Sequence, residues 1–385
     1  MERQLATIQV IKKLELIPNA DRIEKVTILD WECVVKKDEF KVGDKCIYIE
    51  IDSLLPEHIY FDFMKERKYR VKTIKLKQQI SQGLVLPLNC LLEFNNKIKL
   101  NTLKENDDVT DIIGITKWVS QSEKEVYNKQ EVKMNFVVKF LYKYLKRYTF
   151  FRKLFLKSDY KSSFPKFIIK TDELRIQSIY SKIEKYFNDS RLFYITQKLD
   201  GTSGTFYWKD NVGGICSRNI EIFTSKQKTF HNENVYYEIN KKYDILNKLK
   251  KYKKQNKINI AIQGEIIGPN VACGVKGATG IKELDFFVFN VYNITNKKYF
   301  NLEDVLNFCS ELGLKFVPIL QVNYSLNNTS LNKLLELSKG NYNFDKKDLL
   351  QEGIVIRPMI EEKIQEIGRF SFKVINNDFL LKYNL

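Results

Sequence analysis

TQKLDGTSGTFYW, residues 196–208, is the stretch on which the reading of this chain turns. The β-forming residues before Lys198 predict a strand that ends at the lysine, over 193–198. Asp200 and Gly201 predict a tight turn, and the residues after it a second strand over 204–208. A lysine at the end of a buried strand is costly unless it is used. Desolvation and neighbouring cations lower an amine's pKa, and the neutral amine is a nucleophile. The chain has only two histidines, His58 and His231, and neither supplies a base beside Asp200. Both read as ordinary surface or satisfied residues. A carboxylate at such a turn suits the water shell of a hard cation such as Mg²⁺, and that cation belongs with phosphates. Together these residues suggest attack on a nucleotide phosphorus to give a lysyl phosphoramidate, although four positions, K-x-D-G, recur by chance.

Composition sets the frame around this stretch. The chain has 385 residues, enough for two domains, and 44% of them are hydrophobic, enough to build cores. The formal charge of +17 points to a polyanionic partner or an anionic membrane surface. Six scattered cysteines, at 33, 46, 90, 216, 273 and 309, include no C-x-x-C pair, which argues against a zinc site and for free thiols in a reducing compartment. No signal peptide and no run of about 18 apolar residues is evident. The expectation is a soluble, intracellular protein, with cytoplasm and nucleus not distinguished.

Along the chain, residues 1–118 read as short strands separated by turns such as PNAD (18–21) and KVGD (41–44), the pattern of a small OB-like β-barrel. Residues 119–162 read as a basic helical linker. In NFVVKFLYKYLKRYTFFRKLFL (135–156), Val137, Leu141, Tyr144, Tyr148, Phe151 and Phe155 share one helical stripe. Residues 132–170 contain eleven Lys and Arg against the single acid Asp159. That segment suits an interdomain helix, a phosphate-tracking element or a membrane-surface helix. From 163 to 385 helices and strands mix: a helix capped near Thr171, a basic helix over 233–252, and a helix opened by Asn301 and ended by Gly313. Strands are expected at 213–217 and in INIAIQGEII, LDFFVFNVYN, EGIVIRP and RFSFKVI. The predicted class is α+β with largely antiparallel sheets.

K-L-D-G is followed in order by C-S-R-N (216–219), Q-G-E (263–265), F-F-V-F-N (286–290), E-G-I-V-I-R (352–357) and F-S-F-K (370–373). This order resembles the covalent nucleotidyltransferase superfamily of ATP-dependent ligases and mRNA capping enzymes. The blocks LATIQVIKKLELIPNADRIEKVTI, KVGDKCIYIEIDSLLP, RVKTIKLKQQISQGLVLP and FPKFIIKTDELRIQ narrow the resemblance to RNA ligases with an OB-like domain before the adenylyltransferase domain. It spans about 1–118 and 163–385.

The resemblance implies roles. Lys198 attacks the α-phosphorus of ATP. Asp200, Glu265 and Glu352 orient a hydrated Mg²⁺ or Mn²⁺, and Glu265 also reaches the ribose. Arg218 contacts the sugar or phosphate, Phe286 stacks on adenine, and Lys373 pairs with the α-phosphate. The pattern departs from the family at Gln197, where glutamate is usual, at Ile169 for proline, and at Asn290 for aspartate. It departs again at Ser371, where motif V often has a first lysine; Lys170 or Lys382 then supplies the second phosphate contact.

The implied enzyme is an ATP-dependent RNA ligase, a monomer, joining RNA 3′-OH and 5′-phosphate ends through lysyl-AMP and RNA-adenylate. The basic stretches 132–170 and 241–257 are expected to follow the RNA backbone. Only 12 residues follow Lys373, which disfavours ligases and capping enzymes whose OB domain comes last. The alternatives are a capping-type GTP-dependent transferase and an inactive OB-containing RNA-binding protein. Intact Lys198, Asp200, Glu265, Glu352 and Lys373 argue against the latter.

Overall fold

The computed structural model describes residues 4–118, 163–223, 225, 229, 231, 234–269, 271, 279–342, 344 and 349–385. The helical stripe expected over 137–155, and most of the linker expected over 119–162, lie outside these residues. The chain forms two compact units that are discontinuous in sequence. One comprises 1–120, 175–186 and 377–385, and the other 121–174 and 187–376.

In the first unit, β1 (Ala6–Leu16), β2 (Ile23–Ile28), β3 (Trp31–Lys36), β4 (Lys45–Ile49) and β5 (Leu84–Pro87) make one antiparallel sheet of order β3-β2-β1-β4-β5. Strict alternation explains β2 and β3, whose every second residue is buried. The long β1 serves two partners. Its first half pairs with β4 and its second half with β2, and the register shifts between Ile11 and Lys13 where it changes over. Such a bulge lets one strand bend from one neighbour to the next, giving the half-barrel curvature of an OB-like sheet. Ile11, Val26, Ile28, Trp31 and Tyr48 share one buried face of this sheet, and Ile8 and Ile47 are buried on the other. The last nine residues belong here too: Thr73 N–H donates to the Leu385 carbonyl, and Gln82 to Asn377 Oδ1.

The second unit has two largely antiparallel layers. One contains β6 (Leu192–Lys198), β11 (Ile319–Ser325), β12 (Gly353–Pro358) and β13 (Phe372–Ile375), in the order β13-β12-β6-β11. The other contains β7 (Thr202–Lys209), β8 (Val212–Cys216), β9 (Ile260–Ile267) and β10 (Asp285–Asn293), in the order β8-β7-β9-β10. One face of this second sheet, with Phe206, Ile215, Ile262, Ile266, Phe286 and Val288, is covered by helices α1 (Val235–Tyr243), α2 (Ile245–Asn256) and α3 (Leu302–Leu312). Asn301 and the left-handed Gly313 bound α3 as expected.

Two helical expectations change. The basic stretch breaks at Asp244, whose φ of 51° ends α1; the Asn240 side chain then accepts the Leu246 N–H as α2 begins. No helix starts at Thr171. Thr171–Glu173 run in open chain, because their side chains are taken up by partners across the sheets, and the α-turn begins only at Tyr180. Among the described residues no helix is long and apolar enough to cross a membrane. Cys33, Cys46, Cys90, Cys216 and Cys309 are buried free thiols.

Candidate active site

Lys198 is the last residue of β6 and stands opposite Gly353 on β12. A Cβ at Gly353 would lie 2.2 Å from the Val374 carbonyl, so only glycine lets β12 pass between β6 and β13 here. That passage puts Glu352 beside the lysine: Lys198 Nζ donates to Glu352 Oε2 at 2.6 Å. The turn beyond the lysine is as tight. A Cβ on Gly201 would meet the Ile266 carbonyl at 2.3 Å, which draws the K-L-D-G turn against β9.

On β9, Glu265 pairs with Ser203 of β7 and Phe287 of β10, so these three share a face. It is the face turned away from the helices. A segment before β6 crosses it: Phe164 and Ile168 pack with Tyr207, Ala261 and Tyr292, and the Ile169 carbonyl accepts from Gln263 Nε2 at 2.7 Å. Thr171 then bonds Ser203, and Asp172 pairs with Arg218. Lys170 is exposed between Ile169 and Thr171, whose partners Gln263 and Ser203 are on the Glu265 face.

The electrostatics link the set. Burial by itself would lower the Lys198 pKa, but the charges of Glu352, Glu265 and Asp200 outweigh it and the net shift is upward. The expected lowering by neighbouring cations is therefore corrected: the neighbours are anions, and in the ligand-free protein the amine is an ammonium. Glu265 moves up to about 8. Burial is the main cause, Glu352 and Asp200 add to it, and Lys198 and Arg218 oppose it. Lys198, Asp200, Glu265, Glu352 and Arg218 thus act on one another. Among the described residues no three His, Cys, Asp or Glu side chains converge closely enough to hold a metal ion directly.

Lys373, half-buried on β13, stands across β12 on the same face as Lys198, since Val355 pairs with both Thr196 and Lys373. Lys382 lies in α4 (Asn377–Tyr383), within the other compact unit.

Phe286 does not join the set. It is fully buried, edge-on to Phe206 at 5.2 Å, on the helix-covered face. The reason is register: β10 bulges between the partners of Gln263 and Gly264, and the residue in phase with Glu265 is Phe287. Phe287 packs with Leu199, Ile267, Val317 and Tyr342, near Phe344. The basic helix α2 covers the same far face as Phe286, so its lysines lie on the opposite side of this sheet from Glu265.

The departures from pattern have partners. Gln197 is buried; its Nε2 donates to the Asn341 carbonyl and to Gln351 Oε1, while its own Oε1 is a buried acceptor with no hydrogen-bond partner. Asn290 donates to Gln263 Oε1 and accepts from Arg369 Nη2, a double role that aspartate could not fill. Ser371 accepts from Arg357 Nε at 2.9 Å. Arg357, 2% exposed, also pairs with Glu173 at 2.8 Å, and Arg369 pairs with Glu361. This second charged cluster had no signature in the sequence, because its members lie on four separate segments.

Paired antiparallel sheets that gather a strand-end lysine, three carboxylates and an arginine are the arrangement of a nucleotidyltransferase core. A family model described as RNA ligase matches residues 191–375, and one described as an OB-fold domain matches residues 5–88. No curated sequence matches the chain. Among solved structures, a Naegleria gruberi RNA ligase mutant with ATP and Mn is 30% identical, with 99% of each chain covered and a TM-score of 0.75. The Naegleria gruberi RNA ligase with PPi is also 30% identical, covering 100% of this chain and 99% of that one, with a TM-score of 0.74. A mutant of the same ligase without ligand is 29% identical, covering 99% and 98%, with a TM-score of 0.76. The chain belongs to the RNA ligase family.

Proposed function

We propose that the protein is an ATP-dependent RNA ligase that seals 3′-OH and 5′-phosphate ends through lysyl-AMP and RNA-adenylate. The observation that carries this reading is the Lys198–Glu352 pair at 2.6 Å, set among Asp200, Glu265 and Arg218. Lys198 is the nucleophile. Its amine must first lose a proton, and Glu352 Oε2 is the acceptor already in contact. Nζ then bonds to the α-phosphorus while the bond from that phosphorus to the pyrophosphate oxygen breaks. Positioning and charge neutralisation supply most of the catalysis in such transfers.

The donor set fits a divalent cation held through water, as Mg²⁺ and Mn²⁺ accept. Asp200, Glu265 and Glu352 are hard oxygen donors that, with Glu265 ionised, carry more negative charge than Lys198 and Arg218 offset, and among the described residues they form no direct cage. When bound, the cation would neutralise that charge and the charge of the α-phosphate. Lys373 and Lys170 are the cations for the phosphates, and Arg218 reaches sugar or phosphate. Phe287, in phase with Glu265, replaces Phe286 as the ring offered to adenine, and the unpartnered Gln197 Oε1 is an acceptor for its amino group. A solved mutant with ATP and Mn, and another with AMP and Mn, support this use of the site.

The test is a nicked RNA duplex with 5′-phosphate and 3′-OH ends, incubated with protein, ATP and Mn²⁺. Sealing is expected, and a 3′-deoxy end should stop the reaction at the adenylylated RNA. GTP-dependent transfer to a 5′-diphosphate end would instead support a capping enzyme.

A further inference from the structure

Beyond the residues that carry the motifs, one side chain touches the backbone of three of them. The Tyr342 hydroxyl accepts the N–H of Asp200 at 3.1 Å and the N–H of Glu352 at 3.1 Å, and donates to the Lys198 carbonyl at 3.0 Å. A phenol has one hydrogen to give and two lone pairs to receive, so this hydroxyl is fully used. The site needs such a plug. The β6–β12 ladder ends at the Lys198–Gly353 pair, and beyond it the two strands diverge. The N–H groups of Asp200 and Glu352 and the Lys198 carbonyl would be left as half-buried groups without ladder partners, which folded chains avoid.

The ring is itself fixed. It is 1% exposed among Leu199, Ile267, Phe287 and Val317. Its own N–H bonds the Leu349 carbonyl at 2.8 Å, the adjacent Asn341 carbonyl accepts from Gln197, and the Gln351 N–H bonds the Gly340 carbonyl. The hydroxyl is therefore a rigid post set by the core and not a side chain that follows the turn.

On the reading of the site given above, we infer that Tyr342 is a positioning residue for nucleotidyl transfer. Its hydroxyl fixes the spacing of Lys198, Asp200 and Glu352, so that the amine and the carboxylates meet the α-phosphate together. It touches no reacting atom. Losing it leaves ATP recognition intact and misplaces the nucleophile.

The experiment measures single-turnover labelling of the full chain by α-labelled ATP with Mn²⁺, over a range of ATP concentrations. It compares wild type, Tyr342→Phe and Val305→Ala. Phe keeps the ring and its packing; Val305, buried in α3 under the other face of the sheet, controls for lost stability. Tyr342→Phe is expected to lower the maximal rate about 100-fold, the scale of a misplacement of about 1 Å. Its half-saturating ATP concentration should stay within about threefold of wild type, since binding is unchanged. Val305→Ala should melt at a comparably lower temperature and label at the wild-type rate. Labelling of Tyr342→Phe at the wild-type rate would overturn the inference, as would an equal rate loss in Val305→Ala at matched stability. Wild-type protein that takes no label would overturn the reading of the site, and the inference with it.

Discussion

Two clusters of charge sit along the same sheet and differ in balance. At one end Glu173 and Glu361 face Arg357 and Arg369, acid for base, with Ser371 and Asn290 filling the remaining valences. At the other, Lys198 faces Glu352, Glu265 and Asp200, and Arg218 also acts on Glu265. The carboxyls report the contrast. Burial alone would push the Glu173 pKa up, yet Arg357 and Arg369 bring it down to about 2, whereas Glu265 rises to about 8. A satisfied cluster holds a fold together. An unsatisfied one is held by the fold at a cost, the mark of a candidate functional site.

The largest effect on stability should come from breaking the balanced cluster. Arg357→Met leaves Glu173 buried with only Arg369 near it, and should cost about 3–5 kcal/mol in urea unfolding. The sign with pH follows from Glu173. Its folded pKa lies below its unfolded one, so its contribution is present above about 4.5 and is lost as pH falls towards about 2. The deficit of Arg357→Met should therefore shrink between pH 5 and pH 2. A deficit constant over that window would mean that packing, and not the ion pair, holds the cluster.

The unbalanced cluster predicts the opposite sign. Folded Glu265 keeps a proton that the unfolded chain releases between about 4.5 and about 8, so stability falls as pH rises through that window. Without divalent metal, Glu265→Gln should become more stable than wild type on going from pH 5 to pH 8, by an amount on the order of 2 kcal/mol after screening. Mn²⁺ at pH 8 should raise the melting temperature of wild type and not that of Glu265→Gln. Equal melting shifts in both proteins would remove Glu265 from the cation site.

The smallest effect lies where the balanced cluster is tuned. Asn290→Asp keeps the acceptor for Arg369 and loses the donor to Gln263, and should cost about 1 kcal/mol. A gain in stability would show that Arg369 is short of negative charge and that the cluster is less balanced than described.

How far the sequence could be read depended on how local each signal was. Alternation in IEKVTI and WECVVK announces β2 and β3, and Asn301 and Gly313 mark the ends of α3, because each depends on neighbours in the chain. The nearness of Lys198, Asp200, Glu265 and Glu352 was legible from their order in short motifs. The choice between Phe286 and Phe287 was not, since a single bulge opposite Gln263 and Gly264 decides which ring faces the glutamate. The sign of the lysine's shift needed the three carboxylates in place. Tyr342 and the Glu173–Arg357 pair were beyond reach: each joins segments more than 140 residues apart, and no spacing rule connects them.

The central claim is that Lys198 carries AMP. Its most direct test is incubation of the protein with α-labelled ATP and Mn²⁺, followed by a denaturing gel and an acid wash, beside Lys198→Ala. The account predicts acid-labile label on wild type from ATP and not from GTP, and none on Lys198→Ala. Label that persists on folded Lys198→Ala, or wild-type protein that takes label from GTP alone, would contradict it.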